Sequence, residues 1–564
     1  MLRNFRIFFI IGIIFFALPF FVFADSLGQQ TDFFIDSLYD LSNRTQITAT
    51  LRRVTSELYF YIDDEWWDQL DKNSQSEIKE SIKSLGYEFG NKIYPILTDS
   101  YGKEWKSGID KDEHVTVLIH QMKKTVGGYF NSGDEYPKTL VENSNEREMV
   151  YLNSESINSN LEKSLLAHEF THLIIFNQKE KEHGVSEEVW LNEMRAEYAP
   201  TLVGYDLDYE GSNLQRRVKN FLSKPYDSLT EWRSKSYDYG VINLFCQYLV
   251  EHYGIEILTD SLHSEKVGIP SLNYALEKNG IEEDFSQIFT DWTIAVLVNN
   301  CDLGEKYCYL NENLNDLRIV PFVNYLPSIG RSTLSITNTT KDWAGNWHKF
   351  IGGKNVLKFE FNGYPGTEIK IPYIIEDFEG NFKIDFLELD KKQDGIIYVP
   401  DFSEKNISLT IIPSSQTKIS GFNGSEPSYS FFWSATTVER TPEEEEELIL
   451  QLKEQISFLK AEIEKVKAQI EEIKARLELK FEKDLYFGLK NNSDIKRLQE
   501  FLKSQESEIY PEALITGNFL SLTEKAVIRF QEKYASEILF PLGLEKGTGF
   551  VGSVTRAKIN QLLY

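Results

Sequence analysis

Apolar and polar positions change rhythm repeatedly along the 564 residues. Residues 7–23 are apolar without interruption, preceded by Arg3 and Arg6 and followed by the small residue Ala24. That is the pattern of an export signal, and the run is nearly long enough to span a bilayer, so an uncleaved N-terminal anchor is the alternative. From 25 to 316 helical periods mix with short apolar strands, such as VTVLIH ending at His120 and MVYL ending at Leu152, which predicts an α+β unit. From 317 to 438 strict alternation takes over, as in NVLKFEFNG, TEIKIPYII and NISLTIIPS, punctuated by Gly, Asn and Pro. An antiparallel all-β sandwich follows from it.

Residues 439–484 read differently again. Thr441-Pro442-Glu443 opens a helix with a cap, a first-turn proline and acids at its positive end. Apolar residues then recur at 449, 452, 456, 459, 463, 466, 470, 473 and 477, in steps of three and four, which predicts a coiled-coil stalk able to associate with itself. Residues 485–564 form a small helical domain whose turns echo one another. It resembles the three-helix peptidoglycan-binding domain of bacterial wall enzymes through Leu498, Gln499, Phe501, Leu502, Gly517, Phe519, Thr523, Ala526, Phe530 and Gln531. The resemblance implies peptidoglycan as a partner, although most of these are packing and turn positions.

Composition narrows the picture. The length calls for two to four domains. Sixty basic against 87 acidic residues, a net charge of −27, argue against nucleic acid or an anionic membrane as partner. Past the first run, no stretch is apolar enough for a second membrane span. Of three cysteines, Cys301 and Cys308 sit in the polar loop NNCDLGEKYCY and are expected to pair, while Cys246 in INLFCQYL is expected in the core.

The chemistry sits in SLLAHEFTHLIIFN, residues 164–177. His168 and His172 stand four apart, so on a helix their Cβ atoms lie about 5–6 Å from each other and both rings can reach one ion. Glu169 lies beside that face, where a carboxylate can accept a proton from water and return it to a leaving amine. Ser159 and Glu162 are expected to form a capping box, with Leu165, Leu166, Leu173 and Phe176 as the apolar flank. A catalytic zinc needs a third protein ligand. In VWLNEMRAEYA, Glu193 and Glu197 stand one helical turn apart, suited to one metal bond and one contact behind a ligand histidine.

With HEFTH and NEMRAE together, the chain resembles the gluzincin metallopeptidases, the thermolysin-like clan. The resemblance implies an α+β zincin fold, one zinc ion on His168, His172 and Glu193, Glu169 as general base, and Glu197 behind His168. The metzincin pattern would need glycine and histidine where this chain has Ile175 and Gln178. His183, in the charged loop KEKEHGVSEE, is a weaker third-ligand candidate. The stretch TVGGYFNSGDEY, followed by MVYLN, HEFTH and WLNE, looks like the hyicolysin-like subgroup. There Val126, Gly127, Gly128, Tyr129 and Phe130 would form the edge strand that aligns a substrate backbone. For the oxyanion donor, SYDYGVINLFCQYLVEHYG resembles the clan's later helix and offers Tyr239 first and Tyr237 second, with His252 too far along.

These readings amount to a secreted or envelope-bound zinc metalloendopeptidase acting on protein or peptide. Two alternatives stand beside it: an endopeptidase cutting peptidoglycan cross-links, and a non-catalytic adhesion or scaffold protein.

Overall fold

The computed structural model describes residues 24–328, 332–438, 442–478 and 480–563. The apolar run at 7–23, and with it the signal or anchor expectation, lies outside them. Among the described residues no helix is long and apolar enough to cross a membrane. The chain divides into two compact units, residues 1–439 and 440–564.

The first unit opens with a sheet of β1 (Gln30–Phe34), β2 (Gln46–Val54), β3 (Leu58–Asp63), β4 (Val115–His120), β5 (Gly128–Phe130) and β6 (Met149–Asn153). Their spatial order is β1-β2-β3-β4-β6-β5, with β3, β4 and β6 parallel and β5 antiparallel to β6 at the edge. The parallel strands are buried on both faces, which is why LYFYID and VTVLIH read as continuous apolar runs. Leu58, Phe60, Ile62, Val117, Ile119 and Leu152 face the helices. Tyr59, Tyr61, Leu118 and Tyr151 face the other way, under Phe33, Ala49 and Leu51 from β1 and β2.

Three helices, α1 (Asp64–Gln69), α2 (Lys72–Glu88) and α3 (Tyr94–Tyr101), link β3 to β4. After β6 come α4 (Glu162–Phe176), α5 (Val189–Val203), α6 (Asn213–Ser223) and α7 (Ser236–Tyr253). α4 is buried nearly all round, with Leu166, Ala167, Phe170, Leu173 and Ile174 in the core. The expected capping box at its start does not form. Asn158 takes a left-handed turn at φ 70°, so the helix begins later, at Glu162, behind Leu161. Glu162 instead accepts from the Asn158 N–H at 2.8 Å, and Ser159 Oγ from the Leu161 N–H at 3.3 Å.

Residues 322–438 build a β region of two halves. Asp394–Phe402, Asn355–Asn362, Tyr429–Val438 and Ser332–Thr340 pair antiparallel in that order. Phe382–Phe386, Pro372–Asp377, Asn406–Ile411, His348–Gly352 and Phe322–Leu326 make the other half, its last pair parallel. Phe402 and Asn406 alone register between the two halves, and Leu357, Phe359, Phe361, Phe350, Leu409, Ile411 and Trp433 share one core. This region is fastened to the helices: Trp343 and Trp347 belong to the helical core, and Trp347 Nε1 donates to the Thr293 carbonyl at 2.9 Å. Gly421 N–H donates to Glu188 Oε1 at 2.6 Å, at the residue that caps α5.

In the second unit a 37-residue helix spans Pro442–Glu478. Helices Ser493–Ser504, Ser521–Lys533, Ala535–Ile538 and Ser553–Leu563 surround a core that includes Leu498, Phe501, Phe519, Val527, Phe530 and Ile559. Gln499 Oε1 accepts from the N–H groups of Thr516 and Gly517 at 2.7 and 2.9 Å, and its Nε2 donates to Asn518 O and Thr523 Oγ1. At a constant offset the same network recurs: Gln531 Oε1 accepts from Thr548 and Gly549 at 2.8 and 2.9 Å, and its Nε2 donates to Phe550 O and Thr555 Oγ1.

Candidate metal centre

Helical spacing on α4 sets the two imidazoles edge to face, with ring centroids 4.9 Å apart and Nε2 atoms 3.2 Å apart. α5 packs across α4 and delivers Glu193, whose Oε2 lies 3.4 Å from His168 Nε2 and 3.9 Å from His172 Nε2. Among the described residues, this is the one group of three His, Cys, Asp or Glu side chains whose ligand atoms gather within 4.8 Å.

Each ring is held from behind. Glu197, one turn along α5, places Oε1 3.3 Å from His168 Nδ1. Asn192 Oδ1 accepts at 2.7 Å from His172 Nδ1, which fixes Nε2 as the free nitrogen. Glu197 is in turn held by Arg217 of α6, whose Nε donates to Oε2 at 2.7 Å and whose Nη2 pairs with Oε1, and by Asn213 Nδ2 at 3.1 Å.

The electrostatics ask for a cation. Burial works against a charged His168, yet the Glu193 and Glu197 carboxylates beside its ring outweigh that and push it up to about 10. Burial lowers His172. Glu197 is buried too, but the Arg217 charge and the His168 contact hold its carboxyl well below the usual range. Glu169, buried with few partners, is pushed up to about 8. Glu193 Oε2 is shut off from water with no hydrogen-bond partner, a buried acceptor suited to a cation. Donors bonded at the distances usual for zinc and arranged tetrahedrally lie about 3.3 Å apart, so two imidazole nitrogens and a carboxylate oxygen at these separations fit that ion.

The centre opens into a cavity of about 940 Å³. Val126 to Phe130 line it, but only Gly128–Phe130 form strand, with Val126 and Gly127 leading into it. A Cβ on Gly128 would stand 2.7 Å from the Tyr151 carbonyl and 2.9 Å from Glu169 Oε1, so only glycine lets the edge strand come this near the carboxylate. Tyr239 lines the same cavity, its hydroxyl held neutral by burial and by Glu193 and Glu197. Tyr237 does not; its ring lies under Lys224 Nζ at 4.0 Å. His252 is committed to the Cys308 carbonyl at 3.0 Å. His183 lines a separate hollow with Lys103 and His263, because the loop after α4 carries it past the end of the helix. Cys301 and Cys308 are disulfide-bonded, and Cys246 is buried and free.

Sequence reasoning overlooked Asn192, Arg216 and Arg217. Asn192 had a signal, since it adjoins Glu193 in NEMRAE. The two arginines come from another helix and had none.

Over 195 residues the chain is 30% identical to the neutral metalloprotease ShpI of Staphylococcus hyicus, a match taking in 30% of this chain and 42% of that one. This chain has a metalloprotease relative. It spans about two fifths of that relative's length. No family model matches. Among solved structures, the pre-peptidase C-terminal domain of a Bacillus anthracis collagenase is 6% identical, over 21% of this chain and 96% of that one, with a TM-score of 0.14. The infectious bursal disease virus structure is 13% identical, over 20% and 34%, with a TM-score of 0.13. Both likenesses are too slight to speak for fold.

Proposed function

We propose that the chain is an exported, zinc-dependent metalloendopeptidase of the gluzincin type, nearest the hyicolysin-like subgroup and retained at the cell envelope by its C-terminal module. The observation that carries it is the meeting of His168, His172 and Glu193 beside the Glu169 carboxylate, in a cavity bordered by a sheet edge. His168, His172 and Glu193 would hold the ion. Zinc in such a site supplies Lewis acidity toward a carbonyl and makes water more acidic.

The chain's own groups do the rest. The outer edge of β5 can take the substrate main chain as an added strand, which sets its register. Glu169 accepts a proton from water and returns it to the departing amine. The Tyr239 hydroxyl donates toward the oxygen on which charge develops. Glu197 and Asn192 keep the two imidazoles in one tautomer and orientation.

For the envelope reading, the support is the wall-binding resemblance of residues 485–564. Self-association has support of its own. Leu452, Ile456, Leu459, Ile463, Val466 and Ile470 are all exposed. Isoleucine recurs at one seam position and leucine leads the other, the choice that favours two parallel strands. Lys453, Lys460 and Lys467 flank one side of the seam, and Gln455, Glu462 and Gln469 the other. An antiparallel pair would set lysines against lysines, whereas a parallel pair sets them against Glu and Gln.

The test is metal analysis and digestion by the full chain, with casein and purified peptidoglycan side by side. One zinc per chain is expected, with casein cleaved and Glu169→Gln keeping zinc while losing about 10²–10⁴ in turnover. Release of stem peptides alone would favour the wall-endopeptidase reading, and a chain that binds no zinc would return the adhesion reading.

A further inference from the structure

Helix α6 presents two adjacent arginines to the cavity, and they are treated differently. Arg217 is matched: its guanidinium closes on the Glu197 carboxylate through two hydrogen bonds. Arg216 lines the same cavity and, among the described residues, pairs with no carboxylate. Its Nη2 donates to the neutral side-chain oxygen of Asn213 at 2.6 Å. Its Nε is shut off from solvent and has no partner.

A guanidinium in that position is costly. Burial, and then the like charge of Arg217, lower it to about 10. Glu197 is the nearest source of compensation, and it is already consumed by Arg217 and His168. The cavity that the metal ligands line therefore also holds a cation with one hydrogen bond to a neutral partner and no carboxylate of its own. Its Nη1 has no carboxylate partner and is not shut off from solvent as Nε is, and a planar guanidinium that lines a cavity is well shaped to take a carboxylate through parallel bonds.

We infer that Arg216 is the anion-recognition residue of the cleft, and that the preferred substrates carry a carboxylate close to the bond being cut. The inference rests on the peptidase reading above and names its substrate class. The carboxylate comes either from an acidic side chain inside the peptide or from a free C-terminus. The chemistry at Arg216 is the same for both.

Three matched peptide libraries separate the sources: internal Glu with an amidated end, internal Gln with a free end, and internal Gln with an amidated end. The zinc-loaded full chain digests each, with cleavage read by mass spectrometry, and equilibrium binding of the same peptides is followed by fluorescence anisotropy. A hydrogen-bonded charge pair predicts an acid-to-amide preference of about 10- to 100-fold in one of the two acidic libraries. In Arg216→Gln that ratio falls toward one, and Arg216→Lys recovers part of it. Matching thermal melts of the variants show that the fold is kept. A wild-type ratio of one, or an Arg216→Gln ratio equal to wild type, would overturn the assignment. If no library is cleaved the peptidase reading fails, while the anisotropy arm still decides whether Arg216 selects for the acid.

Discussion

Glu197 lies between a cation and an imidazole: Arg217 grips both of its oxygens, and its Oε1 reaches His168 Nδ1 at 3.3 Å. The carboxylate that orients the histidine is itself positioned from a third helix. Removing Arg217 leaves Glu197 buried with Asn213 Nδ2 and His168 as its side-chain contacts and no matching cation. Arg217→Ala is expected to weaken zinc affinity about 10- to 100-fold. Competition against a chromogenic chelator measures it, and wild-type affinity would show that Glu197 needs no such anchor.

Gly128 sits where β5 passes the Glu169 carboxylate. A methyl group there would crowd both the Tyr151 carbonyl and the Glu169 side chain. Gly128→Ala is expected to cut kcat/KM about 100-fold with zinc content and melting temperature close to wild type, as misplacing a reacting group by about 1 Å does. An alanine variant of full activity would mean that the strand can retreat.

Much of this arrangement could be read from spacing alone. Two histidines one turn apart and two carboxylates one turn apart must share helix faces whatever surrounds them, whereas the meeting of the two faces, with Glu197 behind His168, was implied by the gluzincin resemblance. The seam through Ile456, Leu459 and Ile463 was equally periodic. What could not be read were contacts that close over long stretches of chain: Arg217 on Glu197, or the Gly421 amide on Glu188 at the head of α5. Local turn geometry also escaped, as at Asn158, whose left-handed backbone moves the start of α4 past the expected cap.

The buried carboxyls beside β6 predict a pH effect on stability. Burial pushes Glu148 from the ordinary 4.5 up to about 7, and Glu135, fully buried near it, is raised as well. A carboxyl with a higher value folded than unfolded binds more protons in the folded state. Its contribution is complete below about 4.5 and is lost as pH rises through about 7. The melting temperature of the full chain is expected to fall across that window, and to fall less in Glu148→Gln. Parallel slopes for the two proteins would remove Glu148 from the account.

The lysine row beside the long helix's seam predicts a parallel dimer. Light scattering of the full chain is expected to give twice the chain mass, and Ile463→Lys to give the single mass. An antiparallel pairing, revealed by cysteines at Leu452 and Ile470 crosslinking to each other rather than each to its own copy, would contradict the charge argument.

Gln499 and Gln531 perform one task at two places in one small domain, each bridging a glycine turn to the threonine of a later helix. The domain thus carries its own control. The same glutamine-to-alanine change can be made in either copy, or in both, with the hydrogen-bond chemistry constant and only the surroundings different. Any inequality between the two single variants then measures what context adds to an identical turn, a quantity that comparisons between unrelated proteins never isolate.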